Sequence, residues 1–358
     1  MNPGKYTSLV LLAALATGGC NVVGPRAIDK GQFSYNEVIN RTDNEQLLLN
    51  LVRLKYRDTP FFLEVSSVLT QYSLQSTAGI GRSRTTGLPT DRSLELGLSY
   101  EENPAVSYAP LQGEKFVRQL LSPISLETML LLYHSGWSIE RIFRCSIQQL
   151  GPLKNAPGAS GPTPEQAPEF REFTRAAKLL RELQVQGKIH FGAVQNGQGQ
   201  HMVLRFSPEA ATSPIARELR KLLGAGQDAA DLHLVTGAAA AGQIPVVTRS
   251  LMGVLFYLSH SIEVPEDDIE EGRVTLTRNS DDSPFDWSEV TEGLLQVRTG
   301  SWKPGNASVK IRYRGAWFYV DDSDLPSKST FSFLTQLLAL QSGEVKSSAP
   351  VLTIPIGG

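Results

Sequence analysis

The hydrophobic positions change period along the chain, and the changes predict the elements. From Ser34 to about Arg57, Leu47, Leu48, Leu51 and Leu54 recur every three or four residues, the spacing of one helix face. Ser34 with Glu37 forms a capping box at the start, and Asp58-Thr59-Pro60 ends the run. Arg41, Asp43, Glu45, Arg53 and Lys55 are assigned mostly to the rest of the wheel. The period then falls to two. Phe61 to Val65 enters a strand, Val68 to Leu74 extends it, and Ser93 to Tyr100 alternates cleanly enough to predict one buried face. Gly79 to Pro89, rich in Gly, Ser, Thr and Arg, is the predicted tip of a hairpin. Asn103-Pro104 is expected to turn the chain before a short strand at Val106 to Tyr108. Helical spacing resumes after Gly113, after Ser125 and after Ser138.

The second half repeats this alternation. Glu169 to Gln186 is predicted as a charged amphipathic helix, and Lys188 to Val194 with His201 to Phe206 as a hairpin around Asn196-Gly197. A helix is expected at Pro214 to Leu223 and a strand at Asp231 to Val235. Thr248 is expected to cap an apolar helix, Leu251 to Ile262. Strands are predicted at Val274 to Thr277, at Val290 to Val297, on both sides of Arg314-Gly315 and at Val351 to Ile356. Ser327 is expected to cap a helix reaching Leu340. The fold class is therefore α+β, with antiparallel hairpins packed on amphipathic helices. The segment 151–168 carries five Pro and three Gly in eighteen residues and predicts a linker between an N-terminal domain, 35–150, and a C-terminal domain, 169–358.

Composition narrows the class without naming a reaction. The 358 residues are 41% hydrophobic and 20% charged, ordinary for a globular chain. Lys and Arg number 34 against 36 Asp and Glu, so no general basic footprint for nucleic acid exists. Two Cys exclude a disulfide scaffold and a multi-Cys zinc site.

The N-terminus carries an address. Lys5 is followed by an unbroken apolar run, Leu9 to Ala16, too short to span a bilayer as a helix. Small residues then lead into Cys20. This segment resembles the signal of bacterial lipoproteins, whose lipobox places small residues before an invariant Cys. Ala16-Thr17-Gly18-Gly19-Cys20 fits that pattern except at Thr17, where Leu is commonest. The resemblance implies a signal peptide over 1–19, acylation of Cys20, a lipidated tether over 20–34, and membrane attachment through the lipid. Asn21 in place of Asp implies sorting to the outer membrane, facing the periplasm. The segments 44–67 and 313–343 also resemble exported proteobacterial proteins of unassigned function, a likeness that implies no activity.

The search for chemistry finds no constellation. His134, His190, His201, His233 and His260 show no i, i+4 pair and no His-Glu-x-x-His, although His190 and His201 are placed to meet across one hairpin. Cys145 reads as a packed core thiol on a half-buried helix. The acidic groups 266–271, 281–282 and 321–324 lack calcium-loop spacing and suit solvated helix starts. No cofactor or metal is implied. The late aromatics Tyr313, Trp317 and Tyr319 are assigned to one strand face, as core or as a surface for a partner or glycan, with core preferred. The function expected is a non-enzymatic envelope lipoprotein, a scaffold or accessory subunit with an envelope protein as partner. The alternative is a periplasmic hydrolase or glycan-binding protein using the C-terminal carboxylates and aromatics.

Overall fold

A computed structural model describes residues 20–83, 91–111, 113–196 and 199–342. The chain is mixed α+β, with eleven helices, a six-stranded mixed sheet and a three-stranded antiparallel sheet among the described residues, besides one separate two-stranded ribbon. It divides into two compact units. One comprises residues 1–60 and 113–343, the other 61–112 and 344–358.

The larger unit begins with α1, Cys20–Lys55. The expected tether, 20–34, is thus helical from Cys20 onward, and no break occurs at Ser34. Leu48, Leu51 and Val52 are fully buried. Helices α2 (Glu114–Leu121), α3 (Leu126–His134) and α4 (Ile139–Ser146) follow. Ser125 and Ser138 accept from the backbone N–H groups of Thr128 and Arg141, as their positions predict.

The six-stranded sheet has the order β4-β3-β8-β7-β6-β5. Its strands are β3 (Ile147–Leu150), β4 (Leu153–Lys154), β5 (Ile189–Asn196), β6 (Gly199–Phe206), β7 (Asp231–Thr236) and β8 (Gln243–Thr248). Helix α5 (Arg171–Val185) packs on α4 and on α7 (Pro214–Leu223), which follows the short α6, Pro208–Ala211. β7 and β8 are parallel, with Leu234 opposite Ile244. β8 breaks the predicted pattern because Pro245 lies inside it. The cap of α8 (Leu251–Ser259) is Ser250 rather than Thr248, accepting from Gly253 N–H at 3.1 Å.

The segment 151–168 is packed, not a linker between two bodies. Leu153, Asn155, Ala156, Ala159 and Thr163 are buried, and both flanks belong to one unit. Arg249 holds the segment from behind. Its guanidinium donates to the backbone carbonyls of Arg144, Ile147 and Asn155 and, at 3.0 Å, to Ser160 Oγ. It also stacks 4.0 Å over the Tyr257 ring. Pro and Gly are frequent here because the chain makes tight turns, including a 3₁₀ turn at Pro157–Ser160, while its polar groups are met from the core.

The C-terminal part holds α9 (Glu266–Glu270), α10 (Ser288–Thr291) and the strands β9 (Arg298–Gly300), β10 (Ala307–Tyr313) and β11 (Ala316–Asp321), in the order β10-β11-β9. The chain ends its described course in α11, Leu325–Ser342. Residues 274–277 form no strand, and 290–297 begins in α10 and continues as a turn. The strand predicted at 351–356 lies outside the described residues.

The smaller unit is one ribbon. β1 (Leu63–Ser83, 21 residues) pairs antiparallel with β2 (Asp91–Pro110, 20 residues) along its length, with a bulge at Val65/Ser67. Asn103-Pro104 does not turn the chain. Pro104 lies opposite Thr70 within the strand, a placement open to Pro because an edge strand can dispense with one N–H. Residues 84–90, most of the expected tip, lie outside the described residues, while Gly79 to Ser83 continue β1.

Candidate functional site

The aromatic residues singled out in the sequence do not share a face. Tyr313 pairs with Ala316 across a two-residue turn in which Arg314 and Gly315 have φ of 47° and 91°. Both φ values are positive, the geometry that matches the twist of a tight hairpin. The turn reverses the parity assumed from simple alternation. Ile311/Phe318 and Val309/Val320 join Tyr313/Ala316 on the inner face, while Arg312/Trp317 and Lys310/Tyr319 occupy the other. Phe318 and Val320 are fully buried, whereas Trp317 and Tyr319 are only half-buried, so the core assignment expected for Trp317 belongs to Phe318. Lys303 lies 5.8 Å above the Trp317 ring, and the neighbouring Trp302 is 89% exposed.

Tyr313 is tied to the end of α1. Its hydroxyl donates to Asp58 at 2.5 Å, and Arg314 reaches the same carboxylate oxygen at 2.9 Å. These two donors, Tyr313 first, hold the Asp58 carboxyl below its ordinary range. Tyr56 meets Tyr313 and Phe318 edge-on, and its hydroxyl donates to Asp268, which Arg273 also engages. Tyr313 therefore clasps β10 to the segment just after α1, which Tyr56 in turn ties to α9, and is not part of an open aromatic surface.

The acidic groups are likewise occupied. Asp321 and Asp281 accept from the backbone and hydroxyl of Ser323 and Ser283, two residues on. Asp324, rather than Ser327, caps α11, accepting from Ser327 N–H at 3.1 Å. Asp322 pairs with Lys328 at 2.7 Å. Among the described residues no group of three His, Cys, Asp or Glu is arranged to hold a metal. His190 faces Arg205 and His201 faces Val194 on β5 and β6, so the two histidines do not meet. Cys145 is fully buried, and desolvation raises its thiol to about 11, the environment of a packed thiol and not of a nucleophile.

Two residues that sequence reasoning passed over meet at a cleft of about 990 Å3. Lys55 lies four residues after Leu51 and seven after Leu48, hence on the buried face of α1. It is 6% exposed, and desolvation lowers its pKa to about 8. His260 closes α8. Its Nε2 is 3.1 Å from the Ala159 carbonyl, an acceptor only, so Nε2 carries the proton. Its Nδ1 then accepts from Thr163 Oγ1 at 3.3 Å, and its ring stacks at 4.3 Å on Trp287. Burial, with Lys55 nearby, pushes its pKa down to about 3, so His260 is neutral at physiological pH. Glu263, Asp286, Glu289 and Glu292 also line the cleft. The arrangement offers one buried cation below an acidic rim.

The other feature that stands apart is the ribbon. The alternation seen at 93–100 extends over both strands and stays in phase across the ladder. Leu74 lies opposite Tyr100, Ala78 opposite Leu96, and Ile80 opposite Leu94. From Leu74 to Ile80 and from Leu94 to Tyr100 one row is therefore apolar on both strands, Ser76 excepted. The adjacent row carries only Gln, Ser, Thr, Gly or Glu from Gln71 to Gly81 and from Ser93 to Glu101. No described helix of the chain is long and apolar enough to cross a membrane. No protein-family model, curated protein or solved structure matches the chain.

Proposed function

We propose that this protein is a lipid-anchored, non-catalytic subunit of an outer-membrane assembly. The observation that carries the reading is the ribbon: two strands of 21 and 20 residues, with no third strand paired to either among the described residues. Ordinary strands run about 3–10 residues, and an isolated two-stranded hairpin is at best marginally stable in water. A ribbon this long, with no further strand along its edges among the described residues, gains its stability from a neighbour. The lipobox-like segment ending at Cys20 supplies the anchor and the compartment. A ligand-binding reading has one observation in its favour, the buried Lys55 ammonium at the acid-rimmed cleft.

The test is crosslinking in intact envelopes followed by membrane fractionation. The subunit reading expects a discrete crosslinked species in the outer-membrane fraction, and Cys20→Ser is expected to release the protein from that fraction. A wild-type chain that crosslinks to nothing, or a Cys20→Ser chain that remains acylated, sinks the proposal.

A further inference from the structure

The two rows of the ribbon differ in a way that identifies their surroundings. Tyr72, Leu74, Ala78 and Ile80 of β1 share one row with Leu94, Leu96, Leu98 and Tyr100 of β2, and Ser76 is the only small polar residue among them. The two Tyr sit at one end of this band, where Glu102 lies directly opposite Tyr72 and closes it with a charge. At the other end Arg82 lies directly opposite Arg92. From Tyr72 to Arg82 the band covers ten residue steps, roughly 33 Å of strand at about 3.3 Å per step. At a tilt of about 40° that is a height of about 25 Å from the Tyr end to the Arg collar, the height of the outer band of a membrane β-barrel, and the uncharged pairs from Leu74/Tyr100 to Ile80/Leu94 fill about 15 Å of it.

The ends of the band also fit a bilayer. Aromatic residues gather at the interface between hydrocarbon and headgroups. Two like charges at directly opposed positions destabilise a ladder in water, and anionic phosphates of lipid headgroups would remove that repulsion. The other row, polar or glycine throughout the same span, suits an aqueous interior. The ladder between Gln71 and Ser83 and between Asp91 and Glu102 contains no Pro, so both outer edges are free of the one residue that bars a further strand. A hairpin cannot stay in hydrocarbon with open edges, because each unpaired N–H or C=O there costs several kcal/mol. Among the described residues the chain offers only two such strands, so closure here is assigned to others of the same kind.

We infer that the 63–110 hairpin spans a lipid bilayer as one segment of a β-barrel closed by copies of this chain, its leucine-bearing row against lipid and its Ser/Gln/Gly/Glu row lining the interior. This rests on the subunit reading above and gives that subunit its neighbours.

The experiment places single cysteines along β2 of the full chain, Leu94→Cys, Leu96→Cys and Leu98→Cys on one row and Glu95→Cys, Gly97→Cys and Ser99→Cys on the other. Each is labelled with an environment-sensitive fluorophore and reconstituted into vesicles of phosphatidylethanolamine and phosphatidylglycerol containing a spin-labelled lipid quencher. Variants are read only where the buried Cys145 stays unreactive, which reports an intact larger unit. The inference expects quenching at the three Leu positions and none at the three alternating ones, in particles containing several copies of the chain. Absence of quenching at every position, with a crosslinked assembly still present, overturns the membrane inference and leaves the subunit reading standing. Absence of both overturns both. Alternating quenching in particles holding a single chain refutes closure by copies.

Discussion

Lys55 allows the sharpest quantitative test of the larger unit. An ammonium held at a pKa near 8 instead of 10.5 carries a burial cost of about 3 kcal/mol at neutral pH, since each pKa unit is about 1.4 kcal/mol. The sign follows from proton counting. Between pH 8 and 10.5 the unfolded chain binds a proton at Lys55 that the folded chain has released, so stability rises with pH across this window. Below pH 8 both states are charged and the cost is fully present. Lys55→Met keeps the linear apolar stem and removes the charge, and it should stabilise the fold by about 2–3 kcal/mol at pH 7. Urea unfolding of wild type and variant, followed by Trp fluorescence at pH 7 and pH 10, gives the difference between the two proteins at each pH. The packing change from Lys to Met is common to both pH values and cancels. The advantage of the variant should therefore shrink by most of its magnitude between the two. An advantage that is the same at pH 7 and pH 10 refutes the burial argument for Lys55.

Three further outcomes follow from the packing. His260, neutral with a folded pKa near 3 against an ordinary 6.5, should make the protein acid-labile, with about 4–5 kcal/mol of stability lost between pH 6.5 and pH 3 and recovered in His260→Asn, measured by denaturant titration at stepped pH. Phe318→Ala should cost about 3–5 kcal/mol, because the ring is fully buried, whereas half-buried Trp317→Ala should cost about 1 kcal/mol; equal thermal shifts in the two variants would contradict the observed parity of β11. Limited proteolysis should spare 151–168 in the wild type and open it in Arg249→Met, in which five polar partners of the guanidinium lose their donor.

Local signals in the sequence located elements well where the chemistry was local. Ser125 and Ser138 cap helices because a hydroxyl at that position satisfies an N–H three residues on, a relation readable from the chain alone. Arg314-Gly315 marks a hairpin for a different but equally local reason, the positive φ that both residues adopt. What eluded the sequence depends on partners far along the chain. The Pro- and Gly-rich segment 151–168 looks like a linker until Arg249, about ninety residues later, donates to its Asn155 carbonyl and Ser160 hydroxyl. Trp317 and Tyr319 share a face with Tyr313 only if alternation is carried through a turn whose two residues invert it. Lys55 and His260 were read by residue type, although Lys55 sits at helical spacing from Leu48 and Leu51, the one signal that could have exposed it. Pro104 read as a turn because a single strand carries no sign that it lies on an edge. The ribbon was half legible: alternation at 93–100 predicted a covered face, but the phase between the strands needed the register.

The central claim is that the protein works as a subunit whose hairpin is completed by neighbours. It is met most directly by the native mass of the particle extracted from the outer membrane in mild detergent. The account predicts a single species whose protein mass is a whole-number multiple, greater than one, of the acylated chain, and which falls to one chain when Leu94, Leu96 and Leu98 are all replaced by Asp. A particle of one chain from the wild-type membrane, with the larger unit intact, would contradict it.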